Sequence, residues 1–130
     1  MWKHERSTNF LDFAAEVGLT KHIEGIAATE ALIELCKIGK ASYVLDVGCG
    51  DGYFTEELAK HGEVTATDFS EAALQRARER LPAVNFFVHD LGQPFPVPSD
   101  TFDAVWCSEV LEHLFAPAFA TGEVYRMLKP

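Results

Sequence analysis

"VLDVGCGDGYF", residues 44 to 54, is the stretch on which the fold turns. An apolar run carries one acid, Asp46. Three glycines, Gly48, Gly50 and Gly52, then alternate with other residues, and the aromatics Tyr53 and Phe54 open a helical pattern. A glycine loop between strand and helix brings backbone close to a ligand. Phosphate is the usual ligand of such loops, yet this one holds Asp46 and Asp51 and no lysine or arginine.

Working outward, apolar strands alternate with helices. "YVLDV" (43–47), "VTAT" (64–67), "VNFFV" (84–88) and "FDAVW" (102–106) read as buried strands. Helical spacing covers 28–38 up to Gly39, 53–61, the stretch after the N-cap Ser70 to Leu81 before Pro82, the short "SEVLEHLF" (108–115), and a last helix from Pro117. Ala120, Val124, Met127 and Leu128 line the face of that last helix. A further short helix is expected over residues 7–17, capped near Ser7 to Asn9 and stopped at Gly18, followed by a loop containing Thr20 and Gly25. The alternation predicts an α/β fold: a Rossmann-like, doubly wound parallel sheet in three layers. Ligands of such sheets bind beyond the carboxyl ends of the strands.

Those ends hold Asp46 with the loop Gly48-Cys49-Gly50-Asp51-Gly52; Asp68 and Phe69; His89, Asp90 and Leu91; and Cys107, Ser108 and Glu109. Between Leu81 and Tyr125 there is neither lysine nor arginine, and the nearest bases in sequence, Lys40 and Lys60, bracket the loop. A pyrophosphate would meet uncompensated negative charge there. No G-K-[S/T] follows Gly52, which excludes a P-loop, and G-x-G-x-G is one residue short of the dinucleotide fingerprint. Asp68 lies twenty positions after Gly48, the offset of an acid that bonds ribose hydroxyls. Asp90 can accept from an adenine amino group, with Phe69 and Leu91 as apolar faces for the base. A cationic nucleoside without phosphate fits these features, and S-adenosylmethionine is such a molecule.

"VLDVGCGDG", "TATDFS", "FFVHDLGQPFPVPSDTFDAVWCSEVLEHL" and "EVYRMLKP", in that order, resemble the class I S-adenosylmethionine-dependent methyltransferases. The kinship is nearest to their ubiquinone-biosynthesis-like small-molecule group (methyltransferase type 11 domain), from about Ala27 to Pro130. The resemblance implies that Asp46, Gly48 and Gly50 shape the methionine pocket, with Cys49 and Gly52 in the same cofactor-binding loop. Asp68 would hold the ribose, Phe69 flank adenine, Asp90 and Leu91 recognise it, and the Cys107 carbonyl meet the methionine amino group. The segment around His22 to Ala28 would fold over the site. The family sheet has seven strands in the order 3-2-1-4-5-7-6. This chain is expected to supply strands 3-2-1-4, as a helical segment 1–40 and a C-terminally truncated cofactor-binding domain 41–130. A fourth strand with an exposed edge would then invite self-association.

The remaining bounds agree. A net charge of −9 disfavours nucleic acid as a partner, and no apolar run approaches the ~18 residues of a membrane span. The start lacks a signal-peptide core, and Cys36, Cys49 and Cys107 form no C-x-x-C, so a reduced, cytoplasmic chain is expected. Glu109 stands where H-x-x-E-H would need histidine, so no metal site is expected. His113 is the candidate general base or methyl-pocket residue, against the plainer reading of a packing or surface histidine. Three functions follow from these residues: a methyltransferase acting on a small-molecule acceptor, with S-adenosylhomocysteine as product; a non-catalytic S-adenosylmethionine-binding or interaction module; and a nicotinamide-dependent oxidoreductase, which the loop spacing disfavours.

Overall fold

A computed structural model describes residues 21–108 and 110–130, with side chains from residue 27 onward. The helix expected over residues 7–17 lies outside them. In chain order the elements are α1 (Lys21–Leu35), β1 (Tyr43–Val47), α2 (Tyr53–Ala59), β2 (Glu63–Asp68), α3 (Glu71–Arg80), β3 (Asn85–Val88), β4 (Ala104–Cys107), a 3-10 turn (Leu111–His113) and α4 (Pro117–Met127). The four strands form one sheet of order β3-β2-β1-β4. All three neighbour pairs are parallel, with Val47 opposite Thr67 on one side and Cys107 on the other.

Strand alternation sorts the core onto two faces. Val44 and Val64 face α1 and α2, packing with Ala28, Leu58 and Trp106. Ala66 and Phe86 continue this face under Leu74 and Ala77 of α3. Leu45 and Val47 point the other way, onto Phe95, Phe102 and Met127. The result is the expected three layers.

The proline-rich connection after β3 is fastened to α4 by Arg126, which donates to the carbonyls of Val97 at 2.8 Å and Phe95 at 3.3 Å. Glu123 accepts both from Arg126 and from the Phe95 N–H, and the guanidinium, then that N–H, hold its carboxyl below the usual glutamate range. At the far end of the sheet, Asp103 accepts from the Tyr43 N–H at 2.7 Å and from Lys129 Nζ at 3.1 Å.

Three local readings are corrected. The loop expected around Thr20 and Gly25 is helical from Lys21, since one glycine costs a helix only about 1 kcal/mol. That helix stops at Leu35 rather than Ile38, because Lys37 turns left-handed at φ 52°. The Lys37 N–H then donates to Glu34 and the Ile38 N–H to Ile33, the Schellman pattern, closed by burial of Ile38. The helix expected over 108–115 is only the 3-10 turn, held by i→i+3 bonds from His113 to Val110 and from Leu114 to Leu111. Ala116 is non-helical (φ −126°, ψ 72°), as the residue before a proline tends to be, and Pro117 opens α4 at its first turn.

Candidate cofactor-binding site

The loop after β1 folds back onto the end of β2. The N–H groups of Gly48 and Cys49 both donate to the Thr67 carbonyl, at 2.8 and 3.0 Å. Gly50 donates to Asp68 Oδ2 at 3.0 Å, and Asp68 Oδ1 accepts from the Ser70 N–H at 2.9 Å. Ser70 Oγ in turn caps α3 by accepting from Ala73. One carboxylate thus fixes both the glycine loop and the start of α3, and each of its oxygens retains a second lone pair for a ligand hydroxyl.

The three loop glycines all have positive φ: 72° at Gly48, 58° at Gly50 and 88° at Gly52. At Gly48 a Cβ would overlap the Val110 side chain, so the segment after β4 closes on the loop. At Gly50 a Cβ would meet no atom within 4 Å, which leaves the loop backbone approachable there. Gly52 is the N-cap of α2.

Asp46 is 1% exposed and accepts from Thr55 Oγ1 at 2.6 Å. Burial pushes its carboxyl up to about 7, against the Thr55 hydrogen bond, with the Asp68 charge adding to the rise. Burial, then the Asp46 charge, pushes the Cys49 and Cys107 thiols up to about 12, so neither is a nucleophile near neutrality.

The other expected residues divide. Phe69 stands 79% exposed beside Asp68. Asp90 is exposed and shapes its own turn, Oδ1 accepting from the Gly92 N–H at 2.8 Å. Leu91 is half-buried and packs against the core under α4. Cys107 ends β4 opposite Val47. His113 lies out on the 3-10 turn with its side chain 77% exposed, 3.8 Å from Glu112. Glu109 is outside the described residues.

Two features escaped the sequence reading. Thr55 was hidden as one hydroxyl on an otherwise apolar helix face. The charge argument had placed the nearest bases at Lys40 and Lys60, but Lys40 bonds the Lys60 carbonyl beside the start of β2. Among the described residues, Arg80 approaches the loop: it donates to the Asp51 carbonyl at 3.1 Å and is paired to Glu56 at 2.7 Å. Its charge is balanced by that carboxylate, so the loop remains a poor pyrophosphate site.

Residues 44–130 match the family model described as a methyltransferase domain. This chain belongs to that family. The ubiquinone biosynthesis O-methyltransferase of Alkalilimnicola ehrlichii is 45% identical over 94 residues, covering 67% of this chain and 37% of that protein. The malonyl-[acyl-carrier protein] O-methyltransferase of Erwinia pyrifoliae is 35% identical over 102 residues, covering 78% and 38%. Among solved structures, an S-adenosylmethionine-dependent methyltransferase from Mesorhizobium loti superposes with a TM-score of 0.70 at 30% identity, over 80% of this chain and 48% of that one. The chain thus spans less than half the length of each. S-adenosylmethionine is the cofactor of this methyltransferase domain, and the residues fit it. The site offers paired acids, an approachable glycine backbone and a charge-balanced arginine.

Proposed function

We propose that this methyltransferase domain binds S-adenosylmethionine at the carboxyl ends of its four strands and serves methyl transfer to a small-molecule acceptor. The observation that carries the reading is the pairing of Asp68 with the Gly50 N–H, which puts a hydroxyl-accepting carboxylate against an open stretch of loop backbone. Asp68 would take the ribose, Phe69 and Leu91 flank the base, Asp90 accept from its amino group, and the Cys107 carbonyl meet the methionine ammonium. Asp46 supports the cationic end.

The sulfonium supplies an activated methyl and its own leaving group. What remains for the chain is to orient and to exclude water. Val110 closes the loop from the β4 side, and Arg126 holds the 95–97 connection against α4. The high thiols of Cys49 and Cys107 are consistent with a transfer that needs no protein nucleophile. The two relatives are both named O-methyltransferases, which favours an oxygen acceptor here. Among the described residues no helix is long and apolar enough to cross a membrane, and the proposed setting is the cytoplasm.

The test is transfer of a labelled methyl from S-adenosylmethionine to a panel of phenols and carboxylates. Label in an acceptor supports the reading. Cofactor binding without transfer to any acceptor would instead favour a binding module.

A further inference from the structure

Thr55 and Asp46 form a buried pair across two elements. Thr55 is 0% exposed in the first turn of α2, Asp46 is 1% exposed on β1, and the hydroxyl reaches the carboxylate at 2.6 Å. A helical threonine can return its hydroxyl to the carbonyl four residues back. For Thr55 that carbonyl belongs to Asp51, and it accepts Arg80 instead, while Thr55 turns inward to the sheet.

We propose that Thr55 is a positioning residue for the cofactor, its hydroxyl holding the Asp46 carboxylate at the carboxyl end of β1 toward the ligand's positive charge. This rests on the reading that S-adenosylmethionine binds there. The ionisable groups coupled to Asp46 are Asp68 at the end of β2, Cys49 in the loop and Cys107 at the end of β4. Burial, with the Asp68 charge adding to it, opposes the charged form, and the Thr55 hydroxyl favours it. Without that hydroxyl the carboxylate would be scarcer at neutral pH, and the cationic ligand would have to recruit it.

Two measurements test this on Thr55→Val, which keeps the shape, Thr55→Ala, which serves if the valine variant fails to fold, and Thr55→Ser, which keeps the hydroxyl. Carbon-detected NMR titration of Asp46 in the ligand-free protein should show its midpoint raised in the valine and alanine variants and unchanged with serine. Calorimetric affinity for S-adenosylmethionine against pH should follow: about fivefold weaker than the parent near pH 7 for a midpoint raised by one unit from about 7, approaching tenfold at lower pH and recovering at higher pH. An unmoved Asp46 midpoint, or a serine variant behaving like valine, overturns the role of Thr55 while leaving the cofactor reading intact. A parent that binds no S-adenosylmethionine at any pH overturns both.

Discussion

The Gly50 N–H donates to Asp68 Oδ2 at 3.0 Å, joining the loop that leaves β1 to the last residue of β2. The same carboxylate accepts from Ser70, so Asp68 organises the site before any ligand arrives.

Asp68→Ala is therefore expected to weaken S-adenosylmethionine by ~1.5–3 kcal/mol, the usual worth of hydrogen bonds to a charged group, and to loosen the loop as well. Asp51→Ala should cost much less, because that side chain is exposed at the helix start. Dissociation constants in the reverse order would show that the loop acid, not the strand-end acid, holds the ligand.

The two outer demands on the loop can be separated. Gly48→Ala and Gly50→Ala both place a Cβ on a left-handed residue, at ~1–2 kcal/mol each. Gly48→Ala also drives into Val110 and should lower the melting temperature more. Gly50→Ala meets no protein atom, so its stability loss should be the smaller and its loss of cofactor affinity out of proportion. Equal melting losses with unchanged affinity for Gly50→Ala would contradict the approach of a ligand to that backbone.

Asp46 is stored against stability. Its carboxyl rises from 3.8 unfolded to about 7 folded, so between those values the folded chain holds the extra proton. Stability from this group is full below about pH 4 and falls as pH rises to about 7, by at most ~4 kcal/mol. Asp46→Asn should remove that slope, melt higher than the parent at pH 8 without ligand, and bind S-adenosylmethionine more weakly. Denaturant curves at pH 5 and 8 check the sign: a parent-minus-variant difference that grows with pH in the parent's favour would show that the charged carboxylate is stabilised.

On the side of β4 away from β1, the ladder among the described residues is the single bridge from Phe102 to Leu128, with Lys129 donating to the Phe102 carbonyl. Ala104 to Cys107 present an apolar edge, and self-association through it is expected for this 130-residue chain at high micromolar concentration. Light scattering decides, and a lone monomer there would mean that the edge is covered.

The strands were legible because continuous apolar runs between turn residues have one economical home, a sheet buried on both faces, and observed strand ends fall within two residues of those read. The glycine loop and Asp68 were legible because their chemistry is set by spacing along the chain. Contacts between distant residues were not. Nothing in "GYFTEEL" says that Thr55 turns inward while Arg80 takes the Asp51 carbonyl, since both follow from packing α2 and α3 on one sheet face. The Lys37 turn hid for a similar reason: a left-handed lysine is unfavourable alone and is tolerated because it buries Ile38.

Calorimetric titration of one preparation with S-adenosylmethionine, S-adenosylhomocysteine and NAD tests the central claim most directly. The acids, the ribose offset and the charge-balanced arginine predict saturable binding of the first two and none of NAD. Tight NAD binding with no heat from S-adenosylmethionine would contradict it.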